Sequence, residues 1–85
     1  MTMNKRTIKV VCFAGLRKYF GNEVSVPVEI GATYKSIIDR LVELKPEAKE
    51  VLGACRIAVN ETFVSLYEEL NSVITVFLIP PSSGG

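Results

Sequence analysis

Eighty-five residues, 48% apolar and 22% charged, are enough for one small globular domain with a core of limited size. Ten Lys and Arg against nine Asp and Glu leave a net charge of +1, spread along the chain, which argues against binding driven by nucleic-acid phosphates. No apolar stretch approaches the roughly 20 residues that span a bilayer, and Met1-Thr2-Met3-Asn4-Lys5-Arg6 has no apolar core behind its charges. A cytoplasmic protein without a membrane anchor or signal peptide is therefore expected.

Cys12 and Cys55 are the only two cysteines, and there is no histidine. Two distant cysteines cannot build a four-ligand zinc or iron–sulfur site, and they read as small buried hydrophobes. The lack of histidine removes the commonest general base and any Ser-His or Cys-His pair.

Residues 1–6 read as a loose end. Thr7 to Ala14 reads as a first strand, with Ile8, Val10 and Cys12 on one face and Lys9, Val11 and Phe13 on the other. Both faces are largely apolar, as in a central strand. Gly15 to Phe20 is a connector with room for one helical turn, and Gly21-Asn22 marks a turn. Glu23 to Ile30 alternates strictly, with Val24, Val26, Val28 and Ile30 facing inward. Pro27 has no N–H for a ladder, so this strand belongs at a sheet edge and forms a hairpin with the first.

Thr33 can cap a helix running to about Leu44. Ile37, Leu41 and Leu44, with Ile38 and Val42 beside them, form its apolar stripe. Lys45 precedes Pro46, which ends the helix, and Pro46 starts a second short helix stopped by Gly53. Arg56 to Asn60 is a third strand, Asn60-Glu61 turns it, and Thr62-Phe63-Val64 is a brief fourth. Ser65 to Leu70 is a loop or single helical turn. Val73 to Ile79 is the last strand, and its nearly unbroken apolarity suits a strand flanked on both edges.

The pattern is β-β-α-β-β-β, and one helix covers only one face of such a sheet. The other face should carry an apolar patch from Val11, Phe13, Phe77 and Ile79, as partner surfaces do. The last strand runs directly into Pro80-Pro81-Ser82-Ser83-Gly84-Gly85. Two prolines stop sheet pairing and favour a stiff, extended exit. Gly84 and Gly85 lack side chains, so the backbone can pass a narrow channel and the terminal carbonyl is open to attack. The α-carboxyl group is ionised at neutral pH and is a poor electrophile until activated. Six extended residues reach roughly 20 Å, enough to place the tip inside a partner.

These residues resemble the MoaD/ThiS-type sulfur carriers, and among them the small subunit of molybdopterin synthase. Val10 to Arg17 is similar to that group's first strand and turn, Ile57 to Val64 to its short hairpin, and Phe77 to Gly85 to its C-terminus. Pro-Pro-x-x-Gly-Gly is the most specific part. Val73-Ile74, after Asn71-Ser72, stand where the group commonly has Gly-Asp.

The resemblance implies an α+β, ubiquitin-like β-grasp: a mixed four- to five-stranded sheet with one main helix on one face. It implies a domain over residues 1–79 and a tail over 80–85. It implies that an E1-like adenylating enzyme uses ATP to adenylate the Gly85 carboxylate, and that sulfur from a donor protein leaves a thiocarboxylate there. Gly84 with Pro80, Pro81, Ser82 and Ser83 would enter the large catalytic subunit of the synthase, and Phe13, Phe63 and Ile79 would contact it. For Phe63, packing into the core is an equal reading of the sequence. No metal or bound cofactor is implied, and the catalytic side chains would belong to the partners. The alternatives are a carrier for the thiamine thiazole or for tRNA thiolation, a modifier conjugated to lysines, and an interaction module with an incidental tail.

Overall fold

The computed structural model describes residues 5–81. Five strands form one sheet: β1 (Lys5–Cys12), β2 (Glu23–Glu29), β3 (Arg56–Val59), β4 (Thr62–Val64) and β5 (Thr75–Ile79). Their order is β2-β1-β5-β3-β4. β1 and β5 pair in parallel at the centre, and the other neighbours are antiparallel. The helices are α1 (Arg17–Phe20), α2 (Tyr34–Leu44) and α3 (Lys49–Gly53), with 3-10 turns before α1 and α3. This is the ubiquitin-like β-grasp arrangement, with α2 as the main helix.

Burial follows the alternation of the strands. Ile8, Val10 and Cys12 of β1, Val26 and Val28 of β2, Ile57 of β3, and Val76 and Leu78 of β5 are all buried. They pack with Tyr34, Ile37, Ile38 and Leu41 of α2 and Leu52 of α3. Fully burying each aliphatic side chain stabilises by about 1.5–3 kcal/mol relative to exposure. Pro27 lies in β2, an edge strand, as its missing N–H requires.

Several boundaries differ from the sequence reading. β1 begins at Lys5 rather than Thr7, so Lys5 and Arg6 are strand residues and not a loose end. It ends at Cys12 because Ala14 takes a left-handed conformation (φ 53°) that no strand accommodates. Ile30 lies past the end of β2, where Gly31 turns the chain at φ 91°, and is 65% exposed. Leu44 is the last residue of α2 and is 55% exposed, outside the apolar stripe.

Thr33 sits at the N-cap of α2, but its hydroxyl makes no capping bond. The 65–70 loop does that work instead. Tyr34 N–H donates to the Glu68 carbonyl at 3.0 Å and Lys35 N–H to the Leu66 carbonyl at 2.9 Å. Two otherwise unpaired amides of the first turn are thereby satisfied.

The last strand is shorter than its apolar run. Val73 and Ile74 precede β5, and Ile74 is 69% exposed. The Arg6 guanidinium donates to the Asn71 and Val73 carbonyls, and Asn71 adopts φ 52°. An asparagine tolerates that conformation better than most residues, so it can take the place of a turn glycine.

Candidate functional site

Parallel pairing of β1 with β5 brings the C-terminal ends of both strands to one end of the sheet. Phe13 leaves β1 there and Pro80 leaves β5. On the face opposite α2, the register sets Val11 beside Phe77, Phe77 beside Ala58, and Ala58 beside Phe63. The Phe13 and Phe77 rings stack, with centroids 6.0 Å apart. Val11, Phe13, Ala58, Phe77 and Ile79 are all half-buried, so the apolar row remains open to solvent. This is the patch expected of a sheet with one covered face.

The row continues into the root of the tail. Phe13, Ala14, Gly15, Val51, Ile79, Pro80 and Pro81 line an open groove of about 660 Å³. Beside it, Phe13, Ala58, Glu61, Phe77 and Ile79 line a hollow of about 270 Å³. Ala14 turns the chain away from the sheet at the groove wall, and Leu16 N–H closes that turn on the Phe13 carbonyl at 3.1 Å. The Arg17 Nε–H donates to the Cys12 carbonyl at 3.4 Å.

Phe13, Ile79, Pro80 and Pro81 are thus brought together around one groove. Phe63 lies on the same face but at its margin. It is 49% exposed, which removes the core reading, and the Arg56 guanidinium lies 4.0 Å from its ring centroid. Ser82, Ser83, Gly84 and Gly85 lie outside the described residues.

Three lining residues, Ala58, Glu61 and Val51, were not singled out from sequence, and neither was Arg56, which shares the face beside Phe63. Ala58 and Arg56 were accessible in principle. The two-residue Asn60-Glu61 turn sets Ala58 opposite Phe63 and places Arg56 diagonally across from that ring. Val51 comes from α3, and nothing local in the sequence indicates its approach to Pro80.

The cysteines stay out of this face. Cys12 and Cys55 are free and buried on the helix side. Burial pushes the Cys12 thiol up, and burial followed by the charge of Cys12 pushes Cys55 up to about 11. Cys55 Sγ donates to the Val51 carbonyl at 3.2 Å. Neither thiol has the lowered pKa that marks a nucleophile. Among the described residues, no helix is long and apolar enough to cross a membrane.

A β-grasp sheet with an open apolar face running into a Pro-Pro exit makes this a ubiquitin-like domain. Residues 10–85 match the ThiS family, and the chain belongs to this family of MoaD/ThiS-type sulfur carriers. Similar solved structures include SAMP1 from Haloferax volcanii, at 26% identity and a TM-score of 0.76, covering 94% of this chain and 100% of that one. A Pyrococcus furiosus protein, provisionally described as molybdopterin converting factor subunit 1, is 28% identical over 89% of this chain and 98% of its own, with a TM-score of 0.75. A third is the complex of subunits 1 and 2 of molybdopterin-converting factor from Helicobacter pylori, at 25% identity, 94% and 100% coverage and a TM-score of 0.59. No curated protein matches the sequence.

Proposed function

We propose that the chain is the sulfur-carrying small subunit of a molybdopterin synthase, with Gly85 as the reacting terminus. The observation that carries this reading is the continuity of the open apolar face with the tail root. A partner seated on Phe13, Phe77 and Ile79 would also hold Pro80-Pro81 and so direct the residues that follow. The similarity to a subunit 1 captured with its subunit 2 supports a large catalytic partner.

The chemistry follows from the terminal group. The Gly85 carboxylate attacks the α-phosphate of ATP in an E1-like enzyme, and pyrophosphate leaves. Sulfur from a donor protein, at the oxidation level of hydrosulfide, attacks the acyl carbon, and AMP leaves. The resulting thiocarboxylate gives its sulfur to a pterin precursor in the large subunit, and hydrolysis restores the carboxylate. Gly84 and Gly85 put no side chain in the way of either attack. This domain supplies the docking face and the terminus, and the partners supply acid, base and nucleotide. A cytoplasmic location is consistent with this reading, because the activating step consumes ATP.

Intact mass spectrometry tests the reading. Incubation with ATP, the activating enzyme and a sulfur source should replace one terminal oxygen by sulfur, and co-purification should recover a pterin-synthase large subunit. Absence of exchange, or exchange that survives deletion of Gly85, would refute it. The likeness to SAMP1, whose other solved structure is described as small archaeal modifier protein 1, favours a second reading. In that reading the activated Gly85 forms isopeptides with lysines, and Gly-Gly remnants on other proteins would identify it. Recovery with a thiazole synthase or a tRNA-thiolating enzyme instead would move the carrier to those acceptors.

A further inference from the structure

We propose that Arg56, held on the Phe63 ring, is a charged docking residue, and that the protein seated on the helix-free face presents a carboxylate opposite it. The inference rests on the docking reading above and adds a requirement on the partner.

The argument begins with register. Arg56 pairs with Ile79, the last residue of β5 before Pro80, so its side chain shares the helix-free face with Ala58 and Phe77. The guanidinium lies 4.0 Å from the Phe63 centroid, a cation–π distance. The ring carries the cation as a stack and leaves its N–H edge free for an acceptor. Among the described residues the ion pairs are Lys9–Glu23, Lys35–Asp39 and Arg40–Glu43. Arg56 is in none of them. Glu61 lines the hollow beside Ala58 and Phe77 and forms no ion pair with Arg56.

The consequence appears when the face is covered. A partner that buries the apolar row also removes water from one side of Arg56. An unpaired cation at that place would oppose docking. A carboxylate meets the guanidinium fork with two parallel N–H···O bonds and restores what water supplied. Because Arg56 is level with Ile79, the same pair also fixes the register in which the tail root is presented. Phe63 therefore acts as the support that preorganises Arg56 as well as an apolar contact.

The test uses the full chain and, as probe, the molybdopterin-converting-factor subunit 2 homologue of the same organism. Calorimetric titration gives Kd at low and moderate salt for the unsubstituted protein, Arg56→Ala, Arg56→Glu, Arg56→Lys and Ala58→Arg. The thermal midpoint of each variant verifies folding. Arg56→Ala should weaken binding about tenfold and flatten the salt dependence. Arg56→Glu should weaken it further, and reversing one Asp or Glu of the probe to Lys should recover that loss. Arg56→Lys keeps the charge without the fork and should fall in between, about threefold. Unchanged binding for Arg56→Ala and Arg56→Glu, with binding lost in Ala58→Arg, overturns the inference and leaves the docking face standing. Binding unaffected by Ala58→Arg, or no binding by the unsubstituted protein, overturns the docking reading and this inference with it.

Discussion

Replacing Phe63 by alanine separates docking from folding, because half of the ring is already buried and half is not. The exposure of 49% assigns each half a different role. Full burial of a Phe side chain is worth about 1.5–3 kcal/mol, so the buried half contributes about 1 kcal/mol to folding. The stack with Arg56 adds about 0.5–1 kcal/mol. Phe63→Ala should therefore cost about 1.5–2 kcal/mol in stability. For a domain of this size that is a drop of roughly 6–15 °C in Tm, followed by circular dichroism. The exposed half, about 1 kcal/mol, is gained only on docking, and the loss of Arg56's support adds to it. The Kd for the large subunit should then rise about tenfold, read by the same titration. A folding cost above about 3 kcal/mol would mean that Phe63 belongs to the core after all. An unchanged Kd would mean that the partner does not reach the β4 end of the face.

Three further outcomes follow from the interior. Leu41 is fully buried between α2 and the sheet, and Leu41→Ala should cost about 2–5 kcal/mol in urea denaturation, a large share of what a chain this short can have. Arg6→Ala removes both donors from the Asn71 and Val73 carbonyls; a loss of about 1–2 kcal/mol is expected, with faster amide exchange through residues 71–75. Cys55 sets a pH dependence. Its thiol is pushed up to about 11 in the folded chain against about 9 when exposed, so its contribution to stability is full well below pH 9 and is lost as pH rises through 9 toward 11. The loss is at most about 2–3 kcal/mol, and Cys55→Ala should be that much less sensitive to pH across the same window.

Strand faces were legible because alternation is a local signal. Ile8, Val10 and Cys12 sit inside and Val11 and Phe13 outside, as a period of two requires. Pro27 marked the edge strand for an equally local reason. The cap of α2 was not legible, because its acceptors are backbone carbonyls at 66 and 68, and any residue type provides a carbonyl. The apolar run from Val73 overstated β5 because hydrophobicity does not report that Arg6, 65 residues away in sequence from Asn71, holds this turn by its carbonyls. At the site, alternation placed Phe13 and Ile79 on one face. The Arg56–Phe63 stack needed the hairpin register as well, a diagonal relation that appears only once Asn60-Glu61 is known to be a two-residue turn.

The cysteines give the proposed chemistry its sharpest internal check. Sulfur usually moves through a protein on thiolates, as persulfides or mixed disulfides. Here the only two thiols are buried beneath the sheet, and both are pushed toward the protonated form. Neither lies on the face that carries Pro80 and Pro81. If the chain carries sulfur, the carrier atom is then bonded to the terminal carbonyl rather than to a side chain. The variant Cys12→Ala/Cys55→Ala should accept sulfur from the activating enzyme to the same extent as the unsubstituted protein. Each substitution leaves a small cavity and should cost about 1 kcal/mol of stability, so the assay belongs well below the lowered Tm. Intact mass gives the readout, with iodoacetamide alkylation before and after unfolding confirming that the native thiols are shielded. Sulfur uptake that disappears with the cysteines, or that stays with a peptide containing residue 12 or 55 after digestion, would place the carrier on a thiol and remove the terminal carboxylate from the mechanism.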